Sequence, residues 1–202
     1  NVILPDDIMS KFGVDILRLW VVASDYYDDL RLDHSILNAQ IDSYRRIRNT
    51  FRYLVGNLYG FHDNEKIEIK DFPELEKYIL HRVWEINQIV QDSIKDFNFH
   101  LMFTTILNFC SNDLSSFYFD IRKDSIYCDH KDSIKRKSAR TLLNILFNCL
   151  VKWLAPSLVF TCEEAWKAYG NQTSVHLEDF STIDDSFKNE KINNKWKIIK
   201  NI

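Results

Sequence analysis

The sequence predicts a mostly α fold, an antiparallel helix bundle with a small N-terminal α+β appendage, on three observations. Only 4 Gly and 3 Pro occur in 202 residues, so turn-making residues are too scarce for the many reversals of a sheet protein. Apolar residues recur at helical spacing through most of the chain. With 46% apolar residues, the chain can bury a core that needs no disulfide or metal to staple it.

Residues 1–33 read as the appendage. An apolar Val2-Ile3-Leu4 precedes Pro5-Asp6-Asp7, which places Pro and two acids in a first helical turn. Gly13 divides this helix from a second over residues 14–23, whose Ile16, Leu17, Trp20 and Val21 fall on one face. The alternating Leu30-Arg31-Leu32 reads as a short strand. Residues 34–180 read as the bundle. Its first helix carries Ile41, Tyr44, Ile47, Phe51, Leu54, Val55 and Leu58 at helical spacing and stops near Gly60. A charged connector over 62–71 leads to Pro73 and a second helix with Leu75, Ile79, Val83, Ile86, Ile89 and Val90 inward. A third starts near Asn98 and runs towards Tyr127, with a break expected at Asn112-Asp113. A fourth covers 132–154, stopped by Pro156, and a shorter one reaches Tyr169. Short links between such helices imply antiparallel neighbours. The polar tail holds one strand-like stretch, Ser174-Val-His-Leu177, and residues 181–202 read as the start of a further C-terminal region. Because the chain opens on Asn1 and closes inside what reads as a new helix, the expectation is a piece of a longer protein.

Composition narrows function by exclusion. A net charge of -3 does not suit a wholesale non-specific nucleic-acid binder, although a local basic stripe permits a specific RNA contact. Cys110, Cys128, Cys149 and Cys162 form no C-x-x-C pair, which argues against a zinc knuckle or a disulfide framework and for a reducing cytoplasm. The longest apolar stretch, residues 145–160, is interrupted by Asn148, Lys152 and Pro156, too broken for a membrane span. A di-iron bundle needs Glu-x-x-His on facing helices, and no Glu here is followed by His at that spacing. The six histidines (His34, His62, His81, His100, His130 and His176) are scattered and read as surface or capping residues. No phosphate loop or nucleophile elbow occurs. No catalytic residue and no metal ligand is therefore expected within this chain.

The basic residues carry more. On a wheel of roughly 100° per residue, Arg45, Arg48, Asn49 and Arg52 form one stripe, flanked by Arg46, beside the apolar face of the first long helix. Guanidinium forks bind phosphate oxygens bidentately, and the short Asn can reach a base edge or a ribose hydroxyl. The alternative is a solvated face with internal partners such as Asp42 or Asp113. A second cluster, Lys131, Lys135, Arg136, Lys137 and Arg140, opens the fourth helix, where cations oppose the macrodipole and some compensation is needed. Either Asp129 and Asp132 supply it, or an anionic partner does. In the run from Asp113 to Asp124, charges and aromatics interleave so densely that Asp120, Arg122, Lys123 and Asp124 read first as an internal polar network and second as an RNA-facing edge.

Four ordered blocks then resemble a known family. Asn1-Val-Ile-Leu-Pro5 with Phe12-Gly-Val-Asp-Ile-Leu-Arg-Leu-Trp20 and Ala23-Ser24 resembles the segment after the second signature loop of class I isoleucyl-tRNA synthetases of bacterial type, with Val14 where Ala is usual. Tyr44-Arg-Arg-Ile-Arg-Asn-Thr-Phe-Arg-Tyr-Leu54 with Gly56-Asn57-Leu58 is similar to the first helix of that family's anticodon-binding domain. Asp113-Leu-Ser-Ser-Phe-Tyr-Phe-Asp-Ile-Arg-Lys-Asp-Ser-Ile-Tyr127, and Trp153-Leu-Ala-Pro-Ser-Leu-Val-Phe-Thr161 with Glu163-Glu164-Ala165-Trp166, resemble its later helices. The valine and leucine relatives share the Asp-x-Leu-Arg element, but the Leu-Ser-Ser-Phe-Tyr-Phe-Asp wording is that of the isoleucine enzymes.

The resemblance implies a stem-contact appendage in 1–33 and a bundle gripping the anticodon arm of isoleucine tRNA. The tRNA-binding residues it leads one to expect are Arg45, Arg46, Arg48, Asn49, Arg52, Lys135, Arg136 and Arg140. It also implies a monomeric, cytoplasmic, ATP-dependent isoleucine-tRNA ligase as parent, with no DNA or membrane partner. ATP, Mg and any zinc of a C-terminal module would then lie outside this chain. The same module from a valine or leucine ligase, or a helical protein-interaction scaffold without RNA, are the alternatives.

Overall fold

The computed structural model describes residues 4–26 and 33–200. Nine α-helices occur among them: α1 (Pro5–Phe12), α2 (Val14–Ala23), α3 (His34–Asn57), α4 (Glu74–Lys95), α5 (Phe99–Asn108), α6 (Phe119–Cys128), α7 (Ile134–Leu154), α8 (Val159–Tyr169) and α9 (Glu190–Lys200). Short 3-10 turns lie at Asp63–Glu65, Ile69–Asp71, Val175–Leu177 and Asp185–Phe187. No strand occurs among the described residues. The strand expected at Leu30-Arg31-Leu32 lies outside the described residues, as do Val2 and Ile3.

The core forms around α7, which packs against α3, α4, α6 and α8. Its Leu142, Leu143, Leu146, Phe147, Leu150, Val151, Trp153 and Leu154 are all buried. That near-continuous burial is what a central helix requires, since each of its faces meets a neighbour. α4 adds Leu75, Ile79, Val83, Ile86 and Val90, as its spacing predicts. His81 departs from the surface or capping reading of the histidines. It is fully buried within α4, where its Nδ1 accepts the Asn189 N–H at 2.9 Å just before α9.

The third helix of the sequence reading is one helical ridge without a break. Between α5 and α6, residues Phe109–Tyr118 wind as a π-helix, and the Phe119 N–H reaches back five residues to the Leu114 carbonyl. This wider winding puts Asp113, Leu114 and Tyr118 inside together, so the interleaved block keeps its backbone paired instead of opening a turn. Two further expectations are corrected. On α2 the buried face is Asp15, Ile16 and Leu19, and Val21 points out. Ser174-Val-His-Leu177 is a 3-10 turn, because the Ser174 hydroxyl and the Val175 N–H both donate to Glu163 (2.9 and 3.0 Å), which folds the segment onto α8. The fourth helix starts at Ile134, two residues later than the pattern suggests.

The polar residues of α2 lock the corner between α7 and α8. Asp15 is buried and accepts from the Phe160 N–H (3.3 Å), the Thr161 N–H (2.8 Å) and the Thr161 hydroxyl (2.6 Å), so it caps α8 from another helix. One turn on, Arg18 donates to the carbonyls of Pro156 (2.6 Å) and Ser157 (3.1 Å). Asp15→Ala is expected to cost about 2–3 kcal/mol, since a buried cap and its charge-assisted hydrogen bonds go together. Asp15→Asn, which keeps one acceptor, should cost less. Urea unfolding followed by circular dichroism measures both, and an unchanged midpoint for the Ala variant refutes the capping role.

Candidate nucleic-acid interface

α3 presents the basic stripe. Asp33 caps its start by accepting the Ile36 N–H at 2.9 Å. Leu37, Ile47, Thr50, Phe51 and Leu54 are buried against α2, α7, α8 and the π segment, followed by Leu58 at the cap. The Tyr44 hydroxyl meets the Thr161 hydroxyl at 3.0 Å, fixing α3 on α8. With that face committed, Arg45, Arg46, Arg48, Asn49 and Arg52 are all exposed. Arg45 touches Asp42 at 3.3 Å in a solvated pair, which contributes little to stability. The side chains of Arg46, Arg48, Asn49 and Arg52 have no partner among the described residues. Asp113, the other candidate partner, is instead held by Arg82 (3.3 Å) and Lys200 (2.7 Å).

Two clefts flank the stripe, and Arg52 borders both. One, of about 510 Å³, runs between α3 and α8 and is lined by Arg48, Arg52, Val55, Thr161, Glu164 and Ala168. The other, of about 370 Å³, lies between α3 and the end of α6 and is lined by Asn49, Arg52, Tyr53, Gly56, Asn57 and Tyr127. Tyr53 stacks on Phe119 with ring centroids 4.0 Å apart, and burial, with the Tyr127 phenol beside it, pushes its hydroxyl well above the usual tyrosine range. The Tyr53 hydroxyl therefore keeps its proton near neutral pH.

The second basic cluster sits differently. Arg140 is tied to Glu65 (2.8 Å) and the Tyr59 carbonyl (2.9 Å), lies over the Phe61 ring, and leaves only 11% of its side chain exposed. Arg136 donates to the Asp129 carbonyl at 2.6 Å, and Lys137 pairs with Asp132 at 3.1 Å. Lys135 is exposed. The compensation expected at this helix start is thus supplied by neighbours, and the cluster ties α7 to the connector after α3. In the interleaved block, Arg122 grips the buried Glu76 with two hydrogen bonds (2.6 and 2.8 Å), and the Tyr118 hydroxyl adds a third (3.1 Å). Lys123 and Asp120 pair at the surface at 2.8 Å, and Asp124 is exposed.

Sequence reasoning about individual residues did not single out Gly56, Asn57 and Tyr127 as site residues. The spacing held a signal for two of them: Gly56 lies four residues after Arg52 on the same line, and Asn57 eight after Asn49. Tyr127 comes from another helix, and no local pattern could have placed it there. Among the described residues no group of three His, Cys, Asp or Glu could hold a metal ion, and no helix is long and apolar enough to cross a membrane. Burial pushes the thiols of Cys110 and Cys149 up to about 12, so neither offers a thiolate for chemistry near neutral pH.

The family described as anticodon-binding domain of tRNA ligase matches residues 76–202. The isoleucine–tRNA ligase of Pelagibacter ubique is 52% identical over 206 residues, spanning 100% of this chain and 23% of that protein. That of Agrobacterium fabrum is 46% identical over 204 residues, with 100% and 21% covered. The chain thus spans about a fifth of the length of the curated relatives it matches. Among solved structures, LeuRS in a LeuRS-tRNA-LeuAMS complex from Agrobacterium radiobacter K84 superposes with a TM-score of 0.71 over 94% of this chain and 22% of that one. At 19% identity this likeness concerns the fold.

Proposed function

We propose that this chain, which belongs to the anticodon-binding domains of tRNA ligases and corresponds to that region of isoleucine–tRNA ligases, holds the anticodon arm of isoleucine tRNA on the exposed face of α3. The observation that carries the reading is the state of the arginines: Arg46, Arg48 and Arg52 stand exposed and without partners among the described residues, on a helix packed from its other side. An unneutralised cationic row on a chain of net charge -3 is suited to phosphates. Asn49 adds a neutral donor and acceptor within that row. Lys135 extends the basic surface beyond α3, while Arg136 and Arg140 support it from inside.

In this reading residues 1–33 form the stem-contact appendage, residues 34–180 the anticodon-arm bundle, and residues 181–202 the beginning of a further C-terminal region. The ATP-dependent attachment of isoleucine belongs to the rest of a longer cytoplasmic protein. Binding energy gained on the remote arm would orient the acceptor end there, and so raise the rate of transfer as well as the affinity.

The test is a titration of the chain with an isoleucine tRNA transcript across a range of salt concentrations. Three to four phosphate contacts predict a slope of log affinity against log salt of about -3, from roughly 0.9 per contact. A protein-docking scaffold would give no such binding, and an apolar contact would be nearly indifferent to salt. Equal affinity for valine and leucine tRNAs would remove the isoleucine assignment but keep the RNA one.

A further inference from the structure

Away from α3, a cavity of about 280 Å³ lies where α2 meets the bundle. Its walls include Val22 of α2, Phe99 and Met102 of α5, Trp153 at the end of α7, Ser157 in the corner after it, and Phe180 of the tail. We infer that it is a binding site for a small neutral molecule, mostly apolar and carrying one hydrogen-bond acceptor such as a carbonyl, which the Trp153 indole N–H engages. None of its lining residues belongs to the proposed RNA face, so the two readings stand or fall separately.

The chemistry of the lining sets the class of ligand. No charged side chain lines the cavity, so an ion entering it would lose its water and gain no counter-charge. Trp153 is wholly buried, and its indole N–H has no acceptor among the described residues. Buried polar groups are nearly always paired, and an indole only donates, so what this group lacks is an acceptor. Ser157 is buried too. Its amide is held by the Leu154 carbonyl at 2.9 Å and its carbonyl by Arg18 at 3.1 Å, while its hydroxyl makes no hydrogen bond among the described residues. A single water bridging these two groups would leave the apolar remainder of the cavity unfilled. An apolar cavity of about 150 Å³ already takes benzene, so this one has room for a ring with a short substituent.

The walls are fixed before anything binds. Arg18 holds the Pro156 and Ser157 carbonyls, and His100 Nδ1 donates to the Ala23 carbonyl, so α2 is clasped on both sides of Val22. The turn into α5 is set by Phe97, whose φ of 55° is the one positive value among the described non-glycine residues. Its ring meets that of Phe99 edge-on, with centroids 6.1 Å apart. A bulky residue stays in the left-handed region only where its surroundings hold it there. A cavity held open in this way spends little binding energy on reorganisation. An occupant touching both Val22 and Trp153 braces α2 against α7.

The experiment titrates the chain with acetophenone and with α-methylstyrene, which has the same shape but a methylene in place of the carbonyl oxygen, and follows the indole N–H resonances by NMR. One indole resonance, identified by its absence from Trp153→Phe, should move downfield saturably with acetophenone, with a dissociation constant on the order of 1 mM for so small a ligand. With α-methylstyrene it should not move downfield. Trp153→Phe keeps a ring in the wall and removes the donor. By ligand-detected NMR, acetophenone should then bind about fivefold more weakly, and α-methylstyrene within about twofold of its affinity for the unaltered chain. Val22→Trp, at a half-buried position, should fill the cavity and abolish binding of both probes, and it decides the matter should Trp153→Phe fail to fold. The proposal is overturned by the absence of a saturable shift in the unaltered chain, by an equal loss of both probes in Trp153→Phe, or by unchanged acetophenone binding in Val22→Trp.

Discussion

Glu76→Ala should be the most destabilising single change in the bundle, costing about 3–5 kcal/mol, because it leaves a buried arginine without its counter-charge. Glu76 is fully buried on α4, and its two oxygens take Arg122 Nε at 2.6 Å, Arg122 Nη2 at 2.8 Å and the Tyr118 hydroxyl at 3.1 Å. Its removal leaves all three donors without their acceptor, and the Tyr118 hydroxyl among them belongs to a fully buried residue. Burial, with Glu76 beside it, already drives the Tyr118 phenol well above its ordinary range, so that hydroxyl stays a donor in need of an acceptor. Typical domains are stable by only about 5–15 kcal/mol, so the loss should show as a large fall in the urea midpoint with little change in slope. The double change Glu76→Leu with Arg122→Met should recover most of it, since apolar groups of similar size often replace a buried pair at little cost. A Glu76→Ala midpoint within the error of the unaltered chain would show that the network contributes nothing.

The partners in that network are joined by the tertiary fold and leave no mark in the local sequence. Helix positions were legible because burial imposes a 3.6-residue period: the inward residues named for α3 and α4 are buried or half-buried, with Leu58 at the α3 cap. Of Asp120, Arg122, Lys123 and Asp124, which read together as an internal network, only Arg122 turns inward and the other three are exposed; its partner Glu76, 46 residues away on another helix, leaves no local signal. Asp15 and Arg18 were visible as a family element, yet their work, gripping the α7–α8 corner about 140 residues later, is a product of the tertiary fold. The sequence leads one to expect a break at Asn112-Asp113, where the structure has a continuous π segment. Asp113 is in fact drawn inside by Arg82 and Lys200, the latter on the last helix.

The candidate interface divides in the same way. A stripe on one helix can be read from spacing, so Arg45, Arg48, Asn49 and Arg52 emerge together on a solvent face. Whether a basic residue is free or tied depends on what folds against it. Nothing local to α7 announces that Arg140 is claimed by Glu65, 75 residues earlier. The two basic clusters look alike in sequence and differ in the fold.

The triple change Arg45→Ala, Arg48→Ala, Arg52→Ala turns that difference into the largest expected effect on binding. Folding should be unaffected, with an unchanged urea midpoint, because the three side chains are exposed and only Arg45 has an ion pair, a solvated one with Asp42. Binding of isoleucine tRNA should weaken by at least roughly tenfold per arginine, since hydrogen bonds to charged groups contribute about 1.5–3 kcal/mol each. The salt slope should flatten by about one unit per lost phosphate contact. Replacement by Lys should keep most of the slope and lose part of the affinity, because an ammonium retains the charge without the two-pronged geometry. Asn49→Ala should lower affinity at constant slope if the amide reads a base or a ribose. Arg140→Ala serves as the contrast: its guanidinium is held by Glu65 and the Tyr59 carbonyl, so its loss should lower the urea midpoint and leave the salt slope of the folded fraction alone. Should the triple variant unfold while its folded molecules bind tRNA as before, the stripe is part of the scaffold and the anticodon arm must dock elsewhere, with Lys135 and the start of α7 the next surface to test.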